Sequence, residues 1–329
     1  MPPLRSLAMM AVISVGCSAI ANSSAPYIAP YYNDKQGAIS FTFDDGFQHE
    51  VDDALEIIDP LGIKGTFFLI PTRVDTIPSQ SIHWDQAKSM VEHGHELGTH
   101  DAIKPRLHEI PIEQVVQKIN GGGRLIEQNT GQQSVSFAMP GGSKNNPEIE
   151  AIIYEQHYFF RKSEKLPNAI KAGYGSAGKR VWDDHKTRAQ IEESVSQGKW
   201  FIPVIHSVVN GYSPFKSKEE FKAHCEWVVS KEHVIWIAPL GEVGRYVYER
   251  DAATLDVTSQ TSNSLTFKLT HTLQDKAVFN HPLTVVIPET GAVSAKATDA
   301  SGQSLETSVK DGKILVNALP NGQTVAVTW

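Results

Sequence analysis

The stretch Ala38-Ile39-Ser40-Phe41-Thr42-Phe43-Asp44-Asp45-Gly46 reads as a buried strand that ends in two carboxylates and a glycine. A short apolar run closed by a turn residue is the pattern of a strand covered on both faces. In a parallel barrel, functional groups gather where the strands end, which puts Asp44 and Asp45 at a catalytic mouth. A helix cap accounts for one aspartate before a glycine, but two adjacent acids closing an apolar strand need more than a cap.

Outward from that strand the same grammar repeats. Further strands are predicted over Gly65 to Ile70, His95 to Thr99, Val135 to Met139, His157 to Phe160, Trp200 to His206 and Val234 to Ala238. Amphipathic helices are predicted between them over Glu50 to Pro60, Trp84 to His93, Pro111 to Gln128, Pro147 to Gln156, Thr187 to Gln197 and Lys216 to Ser230. Strands joined by crossover helices form a parallel sheet, and seven such units predict a distorted (β/α)7-type barrel over residues 38–250. Beyond Asp251 helical spacing disappears, and alternation such as Ser264-Leu265-Thr266-Phe267-Lys268-Leu269-Thr270 takes over. Strand candidates at Leu283 to Ile287, Val293 to Thr298, Ile314 to Ala318 and Thr324 to Trp329, with turn signals at Asp311-Gly312 and Asn321-Gly322, predict a small C-terminal β-sandwich over 251–329. It holds no cluster of titratable residues, so its expected role is packing or substrate contact.

Composition narrows the function classes. The chain has 329 residues, 40% apolar and 20% charged, enough for a sizeable core plus a companion domain. A net charge of −7 spread along the chain offers no basic face for phosphates, which argues against nucleic acid as a partner. Arg5 followed by the apolar run from Leu7 to Ile20 and the small residues around Ala21 form the pattern of a signal peptide, residues 1–21, ahead of an N-terminal segment over 22–37. The run is shorter than a bilayer span, so no transmembrane helix is expected and the protein is expected to be periplasmic or secreted. The residues before Cys17 depart from a lipoprotein box at its first position. Removal of the peptide leaves Cys225 without a partner cysteine, so stability must come from the core.

Two histidines fall where the first strand places its aspartates. His100 follows the strand His95 to Thr99, and His206 ends the apolar run Trp200-Phe201-Ile202-Pro203-Val204-Ile205. A carboxylate with an imidazole makes a metal pair, and an imidazole that titrates near neutrality can protonate a departing amine or alkoxide. A lone histidine near a glycine is more often a hydrogen-bonded surface residue, and this chain has 13 of them, so strand position carries the argument.

These pieces resemble the polysaccharide deacetylase, or NodB-homology, family over nearly all of Ala38 to Tyr248. Thr42-Phe43-Asp44-Asp45-Gly46 matches its first motif in full, which implies Asp44 as general base and Asp45 as metal ligand. Gly94-His95-Glu96-Leu97-Gly98-Thr99-His100 resembles the second, with His100 as a metal ligand. The family usually has another histidine four positions on, where this chain has Lys104, a cation that cannot replace a ligand while protonated. His108 is the nearest candidate for that third position. Phe137-Ala138-Met139-Pro140-Gly141-Gly142 resembles the third motif, which implies the Gly141 N–H as an oxyanion donor. The arginine usual in that motif is absent, and Arg161, ending Tyr158-Phe159-Phe160, is the candidate to hold the catalytic aspartate in its place. Val181-Trp182-Asp183-Asp184 is a loose counterpart of the fourth motif, Val204-Ile205-His206-Ser207 resembles the fifth, and Trp236 to Val243 resembles the last strand and helix.

The resemblance implies a divalent metal, zinc by ligand type, and an acetylated carbohydrate as substrate. It implies hydrolysis in which Asp44 takes a proton from water, the Gly141 N–H binds the oxyanion and His206 protonates the leaving group. Trp84, Tyr212 and Phe215 are candidates for stacking on sugar rings, although each is more often a core residue. Lys104 raises two rival expectations: a carbohydrate-binding relative without catalysis, and a hydrolase in which fixed positive charge replaces the metal.

Overall fold

Each predicted barrel strand forms because a run of large apolar or β-branched residues is bounded by glycine, proline or a polar turn, and each is followed by an amphipathic helix that covers it. The computed structural model describes residues 25–77, 80–101, 105–140, 144, 146–161, 172–173, 184–209, 215–288 and 291–329. The signal-peptide expectation, Lys104, Gly141, Trp182, Asp183 and Tyr212 lie outside the described residues.

The barrel strands are β2 (Gly37–Ile39), β3 (Thr42–Asp45), β4 (Thr66–Leu69), β5 (Glu96–His100), β6 (Ser136–Ala138), β7 (Phe159–Arg161), β8 (Ala172–Gly173), β9 (Trp200–Phe201), β10 (Val204–Ile205) and β11 (Ile235–Ile237). They alternate with α1 (Gln48–Ile58), α2 (Trp84–Glu92), α3 (Ile112–Thr130), α4 (Pro147–Gln156), α5 (Asp184–Ser196), α6 (Lys218–Ser230) and α7 (Leu240–Ala252). One sheet runs β10-β3-β4-β5-β6-β7 and a second β11-β2-β9-β8, every pairing parallel. Since β2 leads into β3 and β9 into β10, the two sheets are continuous, as the barrel expectation required. The run predicted over Trp200 to His206 is interrupted at Ile202-Pro203, where a proline cannot donate to the ladder.

Period-two alternation sorts the faces of β3 and the residues leading into it. Phe41 and Phe43 turn outward onto α6, Phe43 stacking on Phe67 at 4.6 Å and meeting Phe221 edge-on. Asp44 faces the interior instead. The interior is tight: a Cβ on Gly98 would come within 2.4 Å of the Phe68 ring.

Helix α7 closes the floor, where the strands begin. The Leu240 N–H donates to Thr66 Oγ1 at 2.7 Å, the Gly241 N–H to Glu96 Oε2 at 2.7 Å, and Gly244 lies against Phe159. Thr66, Glu96 and Phe159 open three different strands, so the helix crosses the floor from β4 to β7. Its far end turns Tyr246 and Val247 into a core shared with the C-terminal domain.

That domain is two antiparallel sheets, formed by β1 (Tyr27–Ile28), β12 (Ala253–Gln260), β13 (Ser264–His271), β14 (Leu283–Pro288), β15 (Lys296–Thr298), β16 (Ser304–Leu305), β17 (Thr307–Lys310), β18 (Lys313–Ala318) and β19 (Asn321–Thr328). Their orders are β1-β14-β18-β17 and β12-β13-β19-β15-β16. Asp311-Gly312 is a two-residue hairpin turn between β17 and β18 with φ of 52° and 73°, the geometry that favours this dipeptide. Asn321-Gly322 is not the expected turn. Both residues lie in β19, where Gly322 has φ 79° and the pairing with β13 shifts register, so the glycine marks a bulge. The strand expected from Val293 starts at Lys296, and Val293 is 94% exposed. The N-terminal segment is tied to this domain through β1, which pairs with β14.

Candidate active site

The mouth of the barrel is built where β3, β5, β7 and β10 end. Asp44 is 3% exposed and its carboxylate lies between a guanidinium and an imidazole from opposite sides of the barrel. Arg161 at the end of β7 donates from Nη2 to Asp44 Oδ1, and His206 Nε2, just after β10, lies 3.8 Å from Oδ2. Three strands separate β3 from β7, so in a flat sheet they would be about 19 Å apart. The direct ion pair exists because the sheet is curled. Phe68 supports the guanidinium, with Arg161 Cζ 4.9 Å from its ring centroid.

Burial alone would raise the Asp44 carboxyl, and the Arg161 charge and hydrogen bond, with the His100 and His206 imidazoles nearby, outweigh it, holding Asp44 below the usual aspartate range. Asp44 is therefore an anion at neutral pH, with one oxygen clamped by Arg161 and the other toward His206.

Asp45 adopts φ 76° and Gly46 φ 70°, a left-handed pair that turns the chain out of the strand. Leu69 Cδ2 would lie 2.8 Å from a Cβ on Gly46, so both space and conformation favour glycine there. Asp45 Oδ1 comes within 3.7 Å of His100 Nε2. His100 Nδ1 is 2.7 Å from the Ala138 carbonyl, which fixes the proton on Nδ1 and leaves the Nε2 lone pair directed toward Asp45. This carbonyl, which orients the imidazole, was not singled out in the sequence, although it belongs to the strand read there as the third motif.

The donor set fits two positions of a divalent cation. An oxygen and a nitrogen 3.7 Å apart can both reach a metal at about 2.0–2.2 Å, and the imidazole is oriented as metal-binding histidines are. A third protein ligand is not supplied: among the described residues no group of three His, Cys, Asp or Glu side chains is placed to hold a metal ion. His108 does not complete the set. It lies in a short helical turn, Leu107–Glu109, where its Nδ1 accepts from the Lys144 N–H at 3.2 Å. Asp101, next after His100, is held by Lys118 at 3.0 Å. Of the proposed stacking residues, Phe215 is buried against Phe221 and Trp84 packs against the barrel core, so both serve the core.

The fold and site define a curled α/β barrel whose mouth gathers two carboxylates, two imidazoles and a guanidinium. The sequence profile of the polysaccharide deacetylase family matches residues 31–156. Gellan lyase of Bacillus sp is 23% identical over 334 residues, an alignment covering 91% of this chain and 13% of the lyase. YxkH of Bacillus subtilis (strain 168), whose name places it provisionally among polysaccharide deacetylases, is 24% identical over 113 residues, 34% of this chain and 40% of YxkH. The chain thus spans well under half the length of either relative. Among solved structures, the Bc1960 peptidoglycan N-acetylglucosamine deacetylase is similar with TM-score 0.48 and 14% identity, over 66% of this chain and 91% of that one. No helix among the described residues is long and apolar enough to cross a membrane.

Proposed function

We propose that this site hydrolyses acetyl groups from an acetylated poly- or oligosaccharide. The observation that carries the reading is the Asp44 carboxylate, buried and shared between Arg161 and His206, beside the Asp45 and His100 pair. Gellan, named in the relative that aligns with 91% of this chain, is a polysaccharide, which supports that class of substrate.

The chain's own groups divide the work. Arg161 holds Asp44 Oδ1 and so aims Oδ2 at the space in front of His206, where an attacking water can pass its proton to the carboxylate. Asp44 remains ionised to low pH, ready to accept. His206, with its side chain 37% exposed, stands at the rim, where it can give a proton to the departing nitrogen or oxygen and regain one from solvent. Attack forms the new C–O bond and loss of the protonated leaving group breaks the old bond, giving acetate and the deacetylated sugar. Gly141 keeps the oxyanion role implied by the resemblance. Asp45 and His100 would hold a divalent cation, zinc by donor chemistry, which when bound supplies Lewis-acid polarisation of the acetyl carbonyl.

Acetate release from acetylated chitooligosaccharides, acetylxylan and peptidoglycan fragments, with and without chelator, tests the proposal. Release from at least one of them, abolished by Asp44→Asn and by His206→Ala, is expected. Absence of release from all three, with retained binding to any of them, would establish the second reading, a carbohydrate-binding relative without turnover. The two-ligand donor set is what favours that second reading.

A further inference from the structure

A cavity of about 320 Å3 opens in the C-terminal domain, lined among others by His271, Lys276, Phe279, Asn280, Leu319 and Asn321. None of these residues belongs to the barrel strands or to the mouth. The volume is at the small end of the range for ligand sites, enough for one sugar ring.

The lining combines three kinds of group. Phe279 is buried and Leu319, an apolar side chain on a connection between strands, is 43% exposed, which gives the cavity an apolar wall. Asn280 and Asn321 are exposed amides at its edge, and Asn321 Oδ1 accepts from the Gln323 N–H, so its NH2 is the part left for a ligand. Lys276 supplies the only ammonium. Its Nζ donates to the His271 carbonyl at 2.9 Å and approaches His271 Nδ1 at 3.1 Å. The imidazole is locked in turn, Nδ1 accepting from the Leu273 N–H and Nε2 bonding to the Phe279 carbonyl at 3.1 Å. Burial and the neighbouring ammonium keep His271 neutral.

The carboxylates near Lys276 are committed elsewhere. Asp275 accepts from the Tyr158 hydroxyl and from the Ala277 and Val278 N–H groups, and Glu249 accepts the His281 N–H with both oxygens. No described carboxylate forms an ion pair with Lys276, so its charge is uncompensated at the edge of a largely apolar cavity. An anion is the ligand group that compensates it, while the apolar wall and the amides fit the C–H face and the hydroxyls of a pyranose.

We propose that this cavity binds a uronate residue of an acidic polysaccharide, a second saccharide site apart from the mouth; the sugar part of the assignment rests on the proposed function. The test is calorimetric titration of the full chain with sodium glucuronate, glucose and acetate. Glucuronate is expected to bind saturably and the other two at least about tenfold more weakly, since each makes only part of the contacts. Lys276→Gln is expected to weaken glucuronate about tenfold, and Asn280→Ala, an exposed change that leaves the core intact, to weaken it less. Acetate binding as tightly as glucuronate, glucuronate binding indifferent to Lys276→Gln, or no binding would each overturn the proposal. Asp44→Asn should leave glucuronate binding unchanged. Glucuronate binding without acetate release therefore removes only the deacetylase reading, and acetate release without glucuronate binding removes only this one.

Discussion

The barrel buries one carboxylate at each end and satisfies the two in opposite ways. At the mouth, Asp44 is balanced by the Arg161 guanidinium on one oxygen, with the His206 imidazole near the other and His100 close by. At the floor, Glu96 is balanced by neutral donors: the Thr66 hydroxyl at 2.7 Å, the Gly241 N–H at 2.7 Å and the Ser136 hydroxyl. Neutral donors from two strands and a helix satisfy Glu96, with no second titrating group among them, so its role is closure. Arg161 stabilises Asp44 as an anion, while the His206 imidazole beside its other oxygen remains partly exposed and able to exchange a proton. The kind of partner, more than burial itself, separates a structural carboxylate from one that can do chemistry.

Substitutions at the two ends should therefore fail differently. The largest effect expected is on turnover: Asp44→Asn should reduce acetate release by about 10²–10⁴-fold with secondary structure retained by circular dichroism. A loss below tenfold would move the base elsewhere. Next is Arg161→Ala, which strands a buried anion and should cost about 3–5 kcal/mol in urea unfolding at neutral pH. Its pH signature follows from the depressed Asp44 carboxyl: the stabilisation is full above the ordinary aspartate value and is lost as pH falls through the lower folded value. The variant should lack that acid-side loss. Smaller again is Glu96→Ala, which removes the acceptor from one N–H and two hydroxyls and should cost roughly 2–4 kcal/mol. Its distinguishing feature is an unchanged kcat for the folded fraction.

How far each end could be read in advance also differs. The barrel strands were legible because apolar runs end in Gly, Pro or charged residues, and Asp44, Asp45, His100 and His206 were legible as candidates because such ends share one rim. The partnership of Asp44 with Arg161 was harder, since it joins positions 117 apart and depends on the curl of the sheet, which no local pattern encodes. Arg161 stood out only as a cation ending a strand. His108 illustrates the converse: eight residues from His100 in the chain, it is turned to the backbone of Lys144. Strand β12 went unread because its alternation, Ala253, Leu255 and Val257 between polar residues, is short and most of its residues are exposed, and β1 because a two-residue strand has no pattern at all. Asn321-Gly322 misled for a physical reason, since a bulge and a hairpin turn both need the positive φ that glycine supplies.

A third buried carboxylate sharpens the contrast. Glu249, on α7 beyond the floor, is fully buried and accepts the His281 N–H at 2.9 and 3.1 Å, with no cation in direct contact. Burial raises its carboxyl from the usual 4.5 to about 7, only partly offset by the His281 N–H and the more distant charges of His281, Arg245 and Lys276. The sign is opposite to that of Asp44. Between the two values the folded chain binds more protons at this position than the unfolded chain, so stability falls as pH rises from about 4.5 to about 7 and then levels. Glu249→Gln keeps an acceptor and removes the charge, so its unfolding free energies from urea titration at about pH 5 and about pH 8 should differ by on the order of 1–3 kcal/mol less than in the parent. An identical slope in parent and variant would show that Glu249 is ionised in the fold throughout, and that neutral N–H donors suffice at this position as they do for Glu96.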